Sequence, residues 1–407
     1  MANFLNSQDL LEASRLSPRF FTRCRTLPFA TVLAFLLSGV RGAVQAELDG
    51  FFALLANRTR LLRVVSAQAF SKARQQIRAD VFERVNRVLL DLVAEEIGFV
   101  RWRGLRLVAA DASYVRLTLF DRRRRVRYIQ EAVAFGLFLP GLELFHRFTL
   151  YEPVCDERQM LVEHLDALSA DDLLLLDRGY PSAWLVALLI DRGVPFCMRC
   201  DIEKNSFGAV RHFMRSGHSE AIVSLPAPNA RDAADYECPR VAPRVRLIRQ
   251  VTPQGQVRVL MTSLVDAEHF PAEAFAQLYH QRWRIEEGFK RIKHRLNLEH
   301  TSGLSWLAAR QDFGAKAVCD NLAALAAWCA AERHLEPDSA WRINRAAGFS
   351  VLRRILPRAL VSAAVSKRVV AEVLAQIALN VQKFIPERHR PQSARDKPHT
   401  QVPQLNA

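Results

Sequence analysis

Two short, strongly apolar runs of the sequence each stop at an aspartate, and they limit the fold more than any other feature. Residues 105–110 lead to Asp111, and residues 173–176 lead to Asp177. Runs of this length are typical of strands buried on both faces of a sheet. Open α/β sheets place their ligands beyond the carboxyl ends of such strands. The pattern therefore predicts two carboxylates at one edge of an α/β sheet. Acids nearby that end no such run are weaker candidates: Asp121, Asp171 and Asp172.

The residues around these runs predict the rest of a mixed sheet. Segments rich in β-branched and aromatic residues predict strands, and Pro140-Gly141 between two of them predicts a hairpin. Helical periodicity separates the later strands. In chain order, we expect a strand at 105–110, hairpin strands at 126–139 and 142–151, helices at 156–168 and 181–192, and strands at 173–176 and 194–199.

A chain of 407 residues suggests several structural units. We predict a catalytic α/β domain that is interrupted by a β-rich insertion and flanked by helical regions. The predicted division is a helical, DNA-binding N-terminal domain at 1–100, the first catalytic part at 101–200, the insertion at 201–264, the second catalytic part at 265–335, a helical region at 336–384, and a disordered basic tail at 385–407.

The formal net charge of +15 favours a polyanionic partner, because Lys and Arg that neutralise phosphates release condensed counterions. Nucleic acid fits this charge best, and an anionic membrane surface fits less well. Residues 66–77 predict a helix on which Lys72, Arg74 and the following Arg78 flank apolar positions. This basic side either lies on DNA or is an ordinary solvated face.

The cysteines and the most apolar segment suggest an intracellular protein that does not span a membrane. Seven scattered cysteines and an N-terminus without signal-peptide features predict reduced thiols and a cytoplasmic location. The Cys197 and Cys200 pair lacks a second pair at zinc-ribbon distance, so we expect both to pack in or beside a strand. Residues 27–40 are too short to cross a bilayer and predict a buried helix.

A predicted helix at 272–296 carries an unusual polar stripe. Arg282, Glu286 and Lys293 follow Tyr279 at three, seven and fourteen residues, which places all four on one helical face. A stripe at this spacing is normally apolar. A salt-bridged helix is the simpler alternative, because Arg282 and Glu286 form an i,i+4 pair.

Glu286, counted with the two strand-end aspartates, outweighs that alternative. Together Asp111, Asp177 and Glu286 supply the hard oxygen ligands that Mg²⁺ prefers. Two such ions can activate an attacking oxygen and stabilise a departing one during in-line phosphodiester displacement. The sequence therefore predicts metal-dependent chemistry on phosphodiesters.

The same residues resemble a known family. Tyr279, Arg282, Glu286 and Lys293 match the YREK signature of DDE transposases of the insertion-sequence-four type at all four positions. Residues 299–303 resemble the segment that often follows this helix. The order of parts agrees along nearly the whole chain.

The two predicted aspartates also fit the resemblance. Asp111-Ala-Ser and Asp177-Arg-Gly-Tyr resemble the first and second acidic motifs of the family. The resemblance implies a ribonuclease-H-like catalytic domain in which Asp111, Asp177 and Glu286 bind Mg²⁺ or Mn²⁺. It also implies double-stranded DNA partners, namely terminal inverted repeats and target DNA, and a dimer in the DNA complex.

The resemblance assigns roles to the rest of the signature. Tyr279, Arg282 and Lys293 would hold phosphates near the element's end, and the reaction would be cut-and-paste transposition. Two other functions stay open on the sequence: a metal-dependent nuclease on the same fold, and an inactive transposase kept as a DNA-binding regulator. Three intact carboxylates argue against the regulator, because a binder has no need of them beside phosphate.

Overall fold

The computed structural model describes residues 1–23, 26–202, 206–252, 255–336, 339–361 and 365–383. The predicted tail at 385–407 lies outside these residues. The described part that precedes the first strand is helical, as predicted. Its helices are α1 (Ala2–Leu5), α2 (Gln8–Ser14), α3 (Phe29–Leu36), α4 (Val44–Leu55), α5 (Ala67–Arg74) and α6 (Val81–Glu96). Helix α3 is buried along its whole length, which confirms the buried helix expected there.

The central part of the chain forms a mixed sheet. Its elements are β1 (Arg101–Trp102), β2 (Leu105–Asp121), β3 (Val126–Leu139), β4 (Leu144–Tyr151), α7 (Glu157–Val162), a 3₁₀ turn (Leu165–Ala167), β5 (Asp172–Leu176), α8 (Ala183–Asp191) and β6 (Phe196–Cys200). Strands β2, β3 and β4 form an antiparallel meander, while β5 and β6 continue the sheet parallel to β2. The resulting order, β4-β3-β2-β5-β6, confirms the predicted ribonuclease-H-like fold.

The β-rich segment joins the same sheet instead of forming a separate sheet. It contains α9 (Gly208–Ser216), β7 (Glu220–Ser224), α10 (Ala230–Asp235), β8 (Arg244–Val251) and β9 (Val257–Thr262). Strand β9 pairs antiparallel with β6, and β8 and β7 extend the sheet beyond it. This pairing covers the edge of β6, which would otherwise expose unpaired backbone groups. Both cysteines of the pair at 197 and 200 lie buried in β6, as expected.

Helices dominate the remainder of the described chain. The elements are α11 (Ala274–His280), α12 (Trp283–Arg295), α13 (Trp306–His334), β10 (Trp341–Ile343), α14 (Arg345–Leu352), α15 (Leu356–Val361), α16 (Lys367–Ala378) and β11 (Val381–Lys383). Helix α13 packs against β4 and α6, and α12 packs against β2 and β3. No helix in the described ranges is long and apolar enough to cross a membrane. The predicted unit boundaries stay a prediction.

His146 on β4 offers a test of the packing between the sheet and the 3₁₀ turn. The imidazole is buried, and its Nε2–H donates to the Ala167 carbonyl at 3.0 Å. Burial lowers the pKa of His146 to about 4, with a further lowering from Arg147, although the hydrogen bond opposes it. The native state therefore holds this side chain neutral at neutral pH.

We expect His146 to make the fold sensitive to mild acid. The unfolded chain takes up the proton near pH 6.5 and the folded chain only near pH 4, so stability falls as pH drops between these values. We compare the free energy of unfolding of the wild type with that of His146→Gln, measured in urea. The difference between the two should be about 2 kcal/mol less favourable to the wild type at pH 5 than at pH 7. His334→Gln, at an exposed position, is the control. A difference in the free energy of unfolding that is equal at both pH values would contradict the buried neutral imidazole.

Candidate active site at the carboxyl edge of the parallel strands

Asp111 lies in the middle of β2, so the expectation that it ends a strand is wrong. Residues 112–121 continue the strand by pairing with β3, from Asp111 opposite Gly136 to Asp121 opposite Val126. The parallel pairing with β5, however, stops at Ala109 opposite Leu175. Asp111 therefore stands just past the point where its parallel neighbour ends. The apolar run stops there because only one face of the strand is buried further on.

Asp177 directly follows β5 at the same edge of the sheet, as predicted. Its Oδ1 accepts the backbone N–H of Gly179 at 2.6 Å. The Arg158 guanidinium donates to the Gly179 carbonyl at 2.7 Å and 3.1 Å. Both contacts hold the turn after the strand. Of the weaker candidates, Asp172 is fully buried and ion-paired with Arg106 at 2.6 Å, which leaves it a structural role.

Glu157 is a fourth carboxylate at this edge that the sequence analysis did not identify. It lies in the first turn of α7, and the buried Tyr180 hydroxyl donates to its Oε1 at 2.7 Å. Burial raises the pKa of Glu157, and the charge of Asp177 raises it further. The available signal was the acidic pair Asp156-Glu157 at a helix start that follows β4. Tyr180 belongs to the second acidic motif, and the structure shows that it links this motif to Glu157.

The predicted single helix at 272–296 is divided into α11 and α12. The backbone amides of Gln281 and Arg282 donate to carbonyls three residues back, which makes a tightened turn between the helices. Tyr279 is therefore on α11, while Arg282 caps the start of α12. The buried Tyr279 hydroxyl donates to the Leu176 carbonyl at 3.2 Å, next to Asp177. Tyr279 thus joins α11 to the end of β5.

Close packing brings α12 and its Glu286 to the sheet. Ile285, Phe289 and Ile292 are buried and form the apolar side on which the helix packs. A side chain at Gly288 would meet Phe138 at 3.0 Å, so glycine is what allows the helix to lie this near β3. This approach positions the polar side of α12 over Asp111.

Arg282 lies between two of the predicted carboxylates. Its Nη2 donates to Glu286 Oε1 at 2.7 Å, and its Nη1 is 4.0 Å from Asp111 Oδ2. The guanidinium is buried, and its Nε has no hydrogen-bond partner within the described residues. The i,i+4 ion pair considered from the sequence is therefore present. It is also part of the site, because the same guanidinium neutralises Asp111.

The Asp111 carboxyl group is buried and has other acids nearby. Burial raises its pKa most, Arg282 opposes this, and the charges of Glu157 and Glu286 add to the rise, so that the pKa of Asp111 is raised to about 7. In the described part of the chain, no three His, Cys, Asp or Glu side chains lie close enough together to hold a metal ion. Carboxylate oxygens are nevertheless the ligands that a hard divalent cation prefers, and those of Asp111 and Glu286 already lie at one positive group, Arg282.

The last signature residue lies away from the carboxylates. Lys293 Nζ donates to the Tyr114 carbonyl of β2 at 2.5 Å. The structure thus gathers Asp111, Asp177, Tyr279, Arg282 and Glu286 at one edge of the sheet. Lys293, on α12, contacts β2 at Tyr114, three positions after Asp111.

The basic helix side predicted at residues 66–77 is only partly available to DNA. Arg74 is buried and ion-paired with Asp312 at 3.0 Å, so this arginine cannot contact DNA. Lys72 and Arg78 are exposed. The prediction was wrong for Arg74 because its partners come from residues more than 200 positions away in the chain.

Comparison with known proteins points to one family. The family model described as "Transposase DDE domain" matches residues 141–322, which include Asp177 and the four signature residues but not Asp111. The transposase InsG for insertion sequence element IS4 of Escherichia coli strain K12 is 25% identical over 240 residues. Those residues are 56% of this chain and 53% of the relative, so the chain spans about half the length of the curated relative it matches.

A solved structure gives a weaker similarity. The piggyBac transposase, in a cryo-EM synaptic complex with hairpin DNA, superposes with a TM-score of 0.43 and 12% identity, covering 98% of this chain and 85% of that chain. Residues 141–322 of this chain are thus similar to a transposase DDE domain, and the curated relative is a transposase of insertion sequence element IS4.

Proposed function

We propose that this chain is a DNA transposase that cleaves DNA at the ends of its element and joins the freed 3′ ends to target DNA. The observation that carries the proposal is the position of Arg282, which pairs with Glu286 and approaches Asp111 at the edge of the sheet where Asp177 follows β5. The domain match and the curated relative support it. The net charge of +15 agrees with a DNA partner.

In this proposal Asp111, Asp177 and Glu286 hold Mg²⁺, or Mn²⁺ in its place. When bound, such ions act as Lewis acids that favour the attacking oxygen and stabilise the departing one. Other residues of the chain hold these carboxylates in position and balance their charge. Gly179 and Arg158 orient the Asp177 turn, and Arg282 neutralises the carboxylates before DNA arrives.

The signature cations have a second role in the proposal, which is to position the DNA. Guanidinium and ammonium groups form charge-assisted hydrogen bonds with phosphate oxygens. Such phosphate contacts fix the register of a duplex and carry little sequence information. Arg282 and Lys293 would bind phosphates at the element's end, with Tyr279 beside them. Because transposition brings two ends together, we propose that two copies of the chain act on DNA as a dimer.

We expect Arg282→Ala and Lys293→Ala each to weaken binding to the element's end without removing it. Loss of one phosphate contact should reduce the slope of log affinity against log salt by about one. Electrophoretic mobility shifts over a salt series measure this slope. Arg368→Ala is the matched control, since Arg368 lies exposed on α16. An unchanged slope in either variant would remove that residue from the phosphate-binding set.

The function itself is tested on a plasmid that carries the DNA naturally flanking this gene. Purified wild-type protein is incubated with Mg²⁺, beside Glu286→Ala and a chelator control. We expect metal-dependent excision with joined products for the wild type alone. Cutting without joining would favour the nuclease, and binding with neither reaction would identify a DNA-binding regulator.

A further inference from the structure

The outer part of the β2–β3 hairpin is a two-stranded ribbon of unusually high positive charge. We call residues 114–131 the arginine ribbon; it comprises the distal half of β2, the turn at 122–125 and the start of β3. It contains only two acids, Asp121 and Glu131. Its arginines are Arg116, Arg122, Arg123, Arg124, Arg125 and Arg127.

One face of the ribbon packs against the protein and holds it in place. Val115, Leu117 and Leu119 are buried in the same hydrophobic core as α12 and α13. The backbone N–H of Arg116 donates to Glu299 at 3.1 Å, and that of Phe120 donates to the Leu304 carbonyl at 2.8 Å. The ribbon is therefore a fixed platform rather than a free arm.

The opposite face is open to solvent and combines positive charge with apolar surface. Tyr114 is 70% exposed and Ile129 is 62% exposed. Arg116 and Arg127 lie on this face, because they pair across the strands with Glu131 and Phe120 respectively. Both arginines are exposed, so their charge is accessible to an anionic partner.

The two acids do not cancel the charge of the arginines. Asp121 Oδ1 accepts the backbone N–H groups of Arg123 and Arg124 at 2.8 Å and 3.1 Å, which forms the turn. The ion pairs Arg124–Asp121 and Arg116–Glu131 span 3.8 Å and 3.7 Å and are solvent-exposed. Exposed pairs of this kind contribute little energy in water. The guanidinium groups at the turn thus remain able to bind an anion.

The ribbon is covalently continuous with the candidate active site. Asp121 lies ten positions after Asp111 on β2. At about 3.3 Å per residue, the turn lies roughly 30 Å from the carboxylates, measured along the strand. At about 3.4 Å per base pair, this distance corresponds to roughly nine base pairs of duplex.

We propose that the arginine ribbon binds the sugar-phosphate backbone of duplex DNA that extends roughly nine base pairs from the candidate active site. The inference rests on the proposed function for the position of the DNA. Arginine suits this partner because its planar guanidinium binds two phosphate oxygens at once. The ribbon would thereby contact the duplex at a distance from the candidate active site and fix the direction in which the duplex leaves that site.

The test compares Arg123→Gln/Arg124→Gln with the charge-matched control Arg231→Gln/Arg368→Gln. Arg231 and Arg368 are 89% and 88% exposed on α10 and α16, outside the ribbon. Binding to a duplex with the element's end is measured over a salt series with a chelator present, so the result is independent of catalysis. We expect the ribbon variant to lose about two units of the salt slope and at least about tenfold in affinity, and the control to lose neither.

The geometry adds a second readout. Hydroxyl-radical footprinting should show wild-type protection of the backbone about nine base pairs from the cleavage position, and the ribbon variant should lose it. The proposal would be overturned if the ribbon variant had the same salt slope as the control, or if the variant still protected the DNA backbone at this position. Ribbon-dependent binding to phosphatidylglycerol vesicles in place of DNA would also overturn it. Excision is measured separately on the plasmid. If the wild type fails to transpose and the ribbon variant still has a reduced salt slope, the proposed function is rejected while the ribbon's contact with DNA is retained.

Discussion

Asp111→Ala, Asp177→Ala and Glu286→Ala are each expected to lower DNA cleavage by about a thousandfold or more while sparing DNA binding. The proposed cations stabilise transition-state charge by several kcal/mol, and each 1.4 kcal/mol corresponds to a factor of ten in rate. Losing one of three carboxylates should remove most of this effect. Binding should persist, because the proposed phosphate contacts are made by the signature cations and the basic surface and do not involve the carboxylates.

Single-turnover cleavage of a DNA end, measured beside a mobility shift, separates these two effects. Matched controls remove an exposed carboxylate of the same type: Glu287→Ala for Glu286, and Asp191→Ala for the aspartates. Glu287 lies next to Glu286 but is exposed and paired with Lys290 at 2.7 Å. We expect both controls to cleave as the wild type does. Retained cleavage in any one of the three variants would exclude that residue from the metal site.

Arg74→Ala is expected to destabilise the fold by about 3–5 kcal/mol, because it leaves a buried carboxylate without its partner. Arg74 is 2% exposed, and its guanidinium bonds Gln311 at 2.8 Å and Asp312 at 3.0 Å on α13. The group also contacts Ser302, in the segment that follows α12. The side chain thus ties α5 to α13 and to the segment that precedes it.

Urea unfolding measures this loss, with Arg78→Ala as the control. Arg78 belongs to the same basic stretch but is exposed and lies 3.7 Å from Asp80, so its removal should cost less than about 1 kcal/mol. The double variant Arg74→Leu/Asp312→Leu should recover much of the stability, since it removes both buried charges. If Arg74→Ala lowered the free energy of unfolding as little as Arg78→Ala does, the structural role of Arg74 would be refuted.

Local sequence patterns were enough to predict the strands and the candidate acids. Asp177 follows a fully buried strand, and the hairpin around Pro140-Gly141 forms as expected. These features depend on neighbours within about ten residues, where apolar periodicity and turn residues carry the information. The signature residues from Tyr279 to Lys293 were identified by their helical spacing and their resemblance to the YREK signature, and their roles stay predictions.

Contacts between distant parts of the chain decided the rest. The true end of β2 at Asp121 depends on pairing with β3, and the insertion's place in the sheet depends on pairing between β6 and β9. The burial of Arg74 depends on partners on α13, some 240 residues later.

The candidate site shows the same division between local and long-range information. The sequence by itself determined which residues carry carboxylates and cations near the ends of strands and on the signature helix. Only the tertiary structure decided that Glu157 approaches Asp111 and that Arg282 lies between Asp111 and Glu286. The reason is physical: charge–charge distances across a fold depend on how helices pack on a sheet, and no short window of sequence contains that packing.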